Sequence, residues 1–349
     1  EQGREHRLTR DPFGRIVQRT DHSNEQVSFT YDGSGRLASY TTSGGQTSYQ
    51  YDEYGRISQA NFPDGAWIRY ELDAHSRLSE KLFSNGIRET RQYDSNDSLT
   101  KITVMNSQGE VIDSIEYVYS TANRIQAVRY HDGSETRFTY DSAGQLLVEE
   151  YRQAEAITRT IRHTYDRRGN RIRKEDSQQG TTEYSYDSAN RLIEESSAGQ
   201  ITRYSYDGAG RLVSKTVGLA ETHYVWDADG RLLSVRVSDG GNVTNIEYEY
   251  DNEGIRTAKI VDGVRTEYVI GQVNGLPQVL YEKTQGAPGV HYGFGYGLEA
   301  LSENSNVTFH LSDVRGSTAS LFDASGARTS KSVFTAFGEV ESTGDGLTS

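Results

Sequence analysis

The sequence YDGSGRL at residues 31–37 returns as YDEYGRI at residues 51–57, YDGAGRL at residues 206–212 and WDADGRL at residues 226–232. Aligning the chain on the aspartate of this phrase gives twelve registers between Asp11 and Asp251, and successive registers lie 20 to 26 residues apart. An aromatic residue precedes the aligned position in ten of them. A unit that repeats at such a period indicates an array of small, equivalent structural parts.

Each phrase predicts a β-turn. Asp opens the turn because its carboxylate accepts a hydrogen bond from the backbone two residues on, and the residue three places later must tolerate a positive φ. Gly, Asn or Asp stands at that later position in eleven registers, and Ser76 is the exception. We therefore expect a structural role in the repeat for Tyr31, Asp32, Gly35, Arg36, Tyr51, Asp52, Gly55, Arg56, Tyr206, Asp207, Gly210, Arg211, Trp226, Asp227, Gly230 and Arg231.

The residues around each turn alternate as they do in strands. Tyr204-Ser205-Tyr206 and Tyr224-Val225-Trp226 put two aromatic side chains on one face, and a second turn signal such as Asn85-Gly86 returns the chain. Each repeat is thus two short antiparallel strands and two turns. The fold class predicted is all-β, with no sustained helical periodicity.

The number of strands limits the shape of the array. Twelve hairpins give about two dozen strands, a ribbon on the order of 100 Å long at about 4.8 Å per strand. Because open twisted sheets rarely exceed about ten strands without curling, we expect one long spiralling sheet, a hollow shell resembling a wide β-barrel. With this stretch alone the shell can be incomplete, so that its edges need flanking shell segments.

The composition fits a thin wall and excludes several classes of protein. About a fifth of the 349 residues are Leu, Ile, Val or Phe, whereas there are 24 Tyr and 35 Gly. The formal net charge of −13 argues against nucleic acid as a partner, and no apolar stretch is long enough to cross a membrane. There is no Cys. No signal peptide opens the sequence, and we interpret it as a piece of a longer protein.

No arrangement of residues predicts an active site, a metal site or a cofactor site. The eight His are scattered without paired spacing. Asp227-Ala228-Asp229-Gly230 lacks the remaining ligands of a calcium loop, and the serines lie in no nucleophile elbow. We expect no catalytic residue, no metal and no cofactor. An enzyme acting on polysaccharides is the weakest alternative, since it needs two carboxylates clustered in a groove.

The chain resembles the Rhs (rearrangement hotspot) or YD-repeat family. The resemblance rests on the twelve units and on the final segment, where DVRGS at residues 313–317, LFD at residues 321–323 with Gly326, and AFGE at residues 336–339 are similar to the start of the Rhs-associated core. We accordingly divide the chain into a YD-repeat β-spiral over residues 1–262 and, over residues 263–349, the end of the array running into that core.

The resemblance implies a function. Shells of this family wrap a C-terminal effector, often a toxin, that follows the core in the same polypeptide. We therefore expect a non-catalytic scaffold that encapsulates an effector located after Ser349, within a protein that is secreted, displayed on the cell surface or delivered by a secretion system. The alternative is a cell-surface adhesin that binds glycans through outward-facing tyrosines, for which Tyr40 and Tyr54 are the candidates.

Overall fold

The computed structural model describes residues 7–20, 25–273 and 275–344. In these residues 32 β-strands follow one another, with one short 3-10 turn at Pro63–Gly65 between β6 and β7. The first strands are β1 (Arg7–Arg10), β2 (Ile16–Thr20), β3 (Gln26–Tyr31), β4 (Leu37–Thr42), β5 (Gly45–Tyr51), β6 (Ile57–Asn61), β7 (Trp67–Leu72), β8 (Leu78–Phe83), β9 (Arg88–Tyr93), β10 (Leu99–Met105) and β11 (Val111–Tyr119).

The next strands are β12 (Ile125–Tyr130), β13 (Ser134–Tyr140), β14 (Leu146–Gln153), β15 (Ala156–Tyr165), β16 (Arg171–Asp176), β17 (Gly180–Tyr186), β18 (Leu192–Ser197), β19 (Gln200–Tyr206), β20 (Leu212–Val217), β21 (Ala220–Trp226), β22 (Leu232–Asp239) and β23 (Asn242–Tyr250). The last are β24 (Arg256–Val261), β25 (Val264–Val273), β26 (Leu276–Thr284), β27 (Gly289–Phe294), β28 (Leu298–Glu303), β29 (Asn306–Ser312), β30 (Thr318–Phe322), β31 (Arg328–Phe334) and β32 (Val340–Gly344).

The strands form a single antiparallel sheet in which each hairpin pairs neighbours in sequence. The register shifts by one residue at the position before the repeat turn, for example between Thr30 and Tyr31 and between Ser205 and Tyr206. The same shift occurs at Leu72, which is not aromatic. Such a shift is a β-bulge, and it accompanies a hairpin loop closed by a residue of positive φ. The predicted all-β fold of repeated antiparallel hairpins is confirmed.

The described chain separates into two compact units. The terminal unit comprises the described residues of the ranges Glu1–Ser114, Tyr250–Ala258 and Val264–Ser349, and the middle unit comprises Ile115–Glu249 and Lys259–Gly263. The strands β25 to β32 continue the hairpin pattern beyond residue 262. The division of the sequence at residue 262 stays a prediction about the repeat pattern.

In the terminal unit, early and late strands pack against one another. Phe83 of β8 meets Phe309 of β29 edge-on, with ring centroids 5.4 Å apart, and both side chains are fully buried. Tyr40 of β4 stacks on His291 of β27 at 5.6 Å. The apolar core of this unit therefore lies between two segments that are far apart in sequence.

The middle unit places its aromatic side chains on one face of the sheet. Strands β19 and β21 alternate exposed and half-buried residues, with Tyr204, Tyr206, Tyr224 and Trp226 on the half-buried face. Because successive side chains of a strand point to opposite faces, the other face is exposed to solvent. A sheet with this pattern has few fully buried residues, consistent with the low aliphatic content.

Candidate functional site: the repeated turns and the layer contact

The repeat turn is closed by one carboxylate that binds three donors. In the turn that begins at Asp32, Oδ1 accepts the backbone N–H groups of Ser34 and Arg36, both at 2.9 Å. The Arg36 guanidinium donates through Nε to Oδ2 at 2.7 Å. The backbone adds the bonds from Gly35 N–H to Asp32 O and from Asp32 N–H to Arg36 O, each 2.9 Å long. The Asp and the Arg of the phrase thus hold the same turn.

All twelve aligned positions have the same pair of backbone hydrogen bonds, and the residue three places on has a positive φ in every one. Ser76, which is the one residue at this turn position other than Gly, Asn or Asp, has a positive φ as well, at 64°. Five further turns with this pair of backbone hydrogen bonds begin at Phe83, Asn106, Asp313, Asp323 and Thr335. Sequence reasoning named Asn85-Gly86 as a turn and quoted residues 313–317, 321–323 and 336–339 only for their resemblance to the Rhs-associated core. It did not count Phe83, Asp313, Asp323 or Thr335 as registers, although a Gly stands three places after each of them, as it does after Asn106.

The guanidinium and the aromatic ring of the phrase join each turn to the next. Arg36 lies over the ring of Tyr51, which belongs to the following repeat, at 4.3 Å from the ring centroid. The Tyr51 hydroxyl donates to the carbonyl of Leu37 at 2.7 Å, directly after that same Arg. The same hydroxyl bond is made by the aromatic residues of seven other repeats, namely Tyr31, Tyr93, Tyr140, Tyr165, Tyr186, Tyr206 and, through its indole N–H, Trp226. We call these inter-repeat contacts the turn ladder.

One gap in the ladder shows how the arginine adapts. The register after Arg56 carries Leu72 in place of an aromatic residue. Arg56 instead lies over the ring of Tyr54 in its own turn, at 5.0 Å, and donates to Ser76 Oγ at 3.0 Å. Arg211 also reaches the next turn, where it donates to the carbonyl of Asp227 at 2.6 Å. The repeated Arg therefore connects adjacent turns even where no ring receives it.

The repeated carboxylates are held in the ionised state. The backbone N–H and the guanidinium of Arg211 lower the pKa of Asp207. The guanidinium of Arg77, followed by its backbone N–H, lowers the pKa of Asp73 to about 2. The carboxylates of Asp207 and Asp73 therefore stay charged and bind the donors of their own turns.

A second cluster joins the early and late strands of the terminal unit through glycines. The ring of Phe62 lies where a side chain on Gly293 would be, since a Cβ there would come within 2.7 Å of the Phe62 Cε1 atom. In the same way, a Cβ on Gly271 would come within 2.7 Å of the Phe29 Cζ atom, and a Cβ on Gly295 would overlap the Tyr70 hydroxyl. We call this the layer contact. Sequence reasoning missed it, because the rings that approach these glycines come from segments more than 200 residues away.

Polar groups at the layer contact bind across it. The Tyr40 hydroxyl donates to the carbonyl of Tyr292 at 2.6 Å. His291 lies between two threonine hydroxyls of the early strands, Nδ1 at 3.0 Å from Thr42 Oγ1 and Nε2 at 2.9 Å from Thr47 Oγ1. Burial lowers the pKa of His291 to about 4, so the imidazole is neutral at physiological pH.

The two tyrosines considered for glycan binding differ. Tyr40 is completely buried at the layer contact, so the expectation that its ring faces outward is wrong. The repeat pattern alone could not show this, because the strands that cover Tyr40 come from the other end of the chain. Tyr54 is 75% exposed, although Arg56 lies over one face of its ring.

The layer contact also holds a buried charged group. Lys81 Nζ lies 2.8 Å from Glu299 Oε2, and both side chains are at least 95% buried. Arg91 Nε donates to Glu89 Oε1 at 2.6 Å, and Glu89 has no exposed surface. Burying charges is costly unless they are paired, and here each cation meets a carboxylate.

Other features give little indication of ligand chemistry. Among residues 7–20, 25–273 and 275–344, no three His, Asp or Glu side chains are grouped so that they could hold a metal ion. A cavity of about 380 Å³ in the terminal unit is lined by Arg10, Arg15, Arg19, Phe29 and Ile270, among others. Arg15 and Arg19 are already paired there, with Asp11 and Asp251.

In the described residues we find no helix with the length and apolarity to span a membrane.

The sequence matches two family models. A model described as Teneurin YD-shell matches residues 84–344, and a model described as RHS Repeat matches residues 10–47 and 34–66. No curated protein matches the sequence.

Solved structures with the same fold come from toxin assemblies. The crystal structure of TcdB2-TccC3-TEV matches with a TM-score of 0.65 and 15% identity over 98% of this chain. The Tc holotoxin pore of Photorhabdus luminescens, with a substitution in TccC3, gives the same TM-score, identity and coverage. The chain spans about a fifth of the length of each of these structural relatives. At this level of identity the similarity shows the fold alone. Because the first family model covers well over half of the sequence, the chain belongs to the Teneurin YD-shell family and is a shell segment built of Rhs/YD repeats.

Proposed function

We propose that this segment is a non-catalytic wall that encapsulates an effector domain of the same, longer polypeptide, and that this polypeptide is secreted or delivered to another cell. The observation that carries the proposal is the turn ladder. The Asp, Arg and aromatic residues of the phrase bind one another from turn to turn. The chemically capable residues of the repeat are thereby used to build a continuous wall.

The polarity of the wall supports an enclosing role. In the middle unit the aromatic side chains share one face, while the other face is exposed and carries polar residues together with apolar ones such as Ile201 and Val225. A sheet that differs between its two faces can separate an enclosed polypeptide from the surrounding solvent. The Tc assemblies with the same fold contain much longer chains than this one, so the proposal concerns a protein in which the present segment is one part.

The experiment is protease protection of the parent polypeptide. An effector enclosed by the wall should resist proteolysis under conditions that digest the same effector expressed alone. A variant that weakens the turn ladder, Tyr51→Ala combined with Tyr206→Ala, should shorten the protection. The matched control is Tyr54→Ala, whose exposed side chain lies outside the ladder and should leave the protection unchanged.

Two outcomes contradict the proposal. If the effector is digested at the same rate with and without the wall, it is not enclosed. If the parent polypeptide carries no further domain and the segment retains immobilised glycans, the adhesin alternative is correct.

A further inference from the structure

Five side chains at the layer contact form an arrangement that neither the turn ladder nor the proposed wall requires. Lys81 lies on β8, and its register partners are Tyr70 on β7 and Glu89 on β9. Glu299 reaches Lys81 from β28, 218 residues away in sequence. Arg91 holds one oxygen of Glu89. A plain buried ion pair needs only one cation and one anion.

We propose that Lys81 and Glu299 become joined by an intramolecular isopeptide bond that links β8 to β28 covalently. The reacting atoms are already close, because Lys81 Nζ lies 2.8 Å from Glu299 Oε2. Their side chains are only 5% and 2% exposed. Exclusion of bulk water protects the amide product from hydrolysis and favours loss of the water that the condensation releases.

Glu89 is placed to transfer a proton. Its Oε1 is fixed by Arg91 at 2.6 Å, whereas its Oε2 is buried and has no hydrogen-bond partner in the described part of the chain. A buried oxygen without a partner is costly. Oε2 makes no hydrogen bond to its register neighbour Lys81 before the reaction, and it is the base that Nζ meets once it has attacked Glu299. The neighbouring cations Lys81 and Arg91 keep the pKa of Glu89 below its usual range despite burial, so that it begins as a carboxylate.

Tyr70 is placed to stabilise the charge that develops on Glu299. Its hydroxyl is buried and also has no hydrogen-bond partner among the described residues. A Cβ on Gly295 would overlap the Tyr70 Oη atom and lie 3.2 Å from Glu299 Cγ, so the two groups meet above this glycine. Burial, followed by the charge of Glu299, raises the pKa of Tyr70 well above its usual value, and the hydroxyl keeps its proton for donation. A fixed donor at such a position stabilises an oxyanion.

The reaction balances without an oxidant or a cofactor. The Lys81 ammonium gives one proton to the Glu299 carboxylate across their 2.8 Å contact, so that a neutral amine faces a carboxylic acid. Nζ attacks Cδ and forms the C–N bond, and the Tyr70 hydroxyl donates to the resulting oxyanion. A second proton moves from Nζ through Glu89 to the Glu299 hydroxyl, the C–O bond breaks, and one water leaves. An ammonium and a carboxylate have become an amide and water.

The test is the mass of the purified, fully denatured chain. We expect a mass one water below that of the sequence, with the tryptic peptides containing Lys81 and Glu299 recovered as one branched species. Fragmentation must locate the loss, because cyclisation of an N-terminal Glu1 removes a water as well. The exposed pair Lys283–Glu25, with Nζ to Oε1 at 3.2 Å, is an internal control that should remain unlinked.

Two variants separate the chemistry from mere proximity. Lys81→Arg keeps the positive charge but replaces the nucleophile, and should restore the full sequence mass. Glu89→Gln keeps the shape but removes the base, and should slow the bond formation by at least tenfold. Recovery of Lys81 from the folded wild-type chain in ordinary linear peptides overturns the proposal, and this result does not depend on whether either variant folds. A mass deficit at this position that persists in Lys81→Arg also overturns it.

Discussion

Replacing Gly293 with Ala should destabilise the terminal unit, because a single methyl group there meets a buried ring. An ideal Cβ would lie 2.7 Å from Phe62 Cε1 and 3.2 Å from Phe62 Cγ. Carbon atoms in contact normally lie about 3.5–4.0 Å apart, so the ring or the strand must move by close to an ångström. Phe62 is only 5% exposed and has little space to do so.

The magnitude follows from the cost of overfilling a packed core, about 1–3 kcal/mol. We expect the upper part of this range, about 2–3 kcal/mol, because the overlap involves several atoms of one ring. Gly293 does not have a positive φ, so Ala introduces no backbone strain and the effect reports packing alone. The control is Gly33→Ala, where no atom lies within 4 Å of the new Cβ and φ is not positive either. That variant should be neutral or more stable by up to about 1 kcal/mol.

The assay is urea unfolding followed by tryptophan fluorescence. The chain has two Trp, Trp67 in the terminal unit and Trp226 in the middle unit. In a Trp226→Tyr background the signal reports the terminal unit, and the other repeats show that Tyr suits this register. Adding Phe62→Leu to Gly293→Ala should recover part of the loss, so that the two changes are not additive. A Gly293→Ala variant as stable as Gly33→Ala would refute the layer contact.

Three further outcomes are expected. Tyr51→Phe should lower the free energy of unfolding by about 1 kcal/mol, because it removes the hydrogen bond from the hydroxyl to the carbonyl of Leu37, whereas Tyr54→Phe, on an exposed side chain, should not change it in the same urea titration. The pKa of His291 in the folded chain, about 4, lies below the ordinary value near 6.5, so neutral His291 contributes fully to stability above pH 6.5, and this contribution declines by about 3 kcal/mol as the pH falls towards 4. His291→Gln should therefore make the thermal stability depend less on pH across this window. An unchanged pH dependence would contradict the assignment. Ala198 has a φ of 49° in the two-residue hairpin loop between β18 and β19. Because Asn tolerates a positive φ better than Ala, Ala198→Asn should raise the stability of the middle unit by up to about 1 kcal/mol in unfolding followed by Trp226 fluorescence. A loss of stability would contradict the turn assignment.

The part of the fold that could be predicted is the part that depends on nearby residues. The turn at Asp32 is formed by atoms within five consecutive residues, so its letters and their spacing specify it. The turns at Asp313 and Asp323 obey the same local rule, although the sequence analysis assigned those residues to the Rhs-associated core and did not count them as registers. The antiparallel hairpins follow from these turns, and the all-β fold follows from the hairpins.

The layer contact could not be predicted, because it depends on long-range packing. The Tyr40 hydroxyl bonds a carbonyl 252 residues away, and nothing in the repeat distinguishes Tyr40 from a tyrosine on an exposed face. The glycine at position 293 is needed for the approach of a ring on another strand, while glycines in the repeat turns are needed for a positive φ. A sequence pattern does not distinguish these two requirements for glycine. It likewise gives no indication that Lys81 and Glu299, which are 218 residues apart, form a buried pair.

The most direct measurement is an electron cryomicroscopy map of the full-length parent polypeptide. We expect the strands of this segment to form part of a wall, with the density of the effector on its inner side and no opening wide enough for a protease. A map in which the effector lies outside the wall, or in which the sheet encloses no space, would contradict the proposed function.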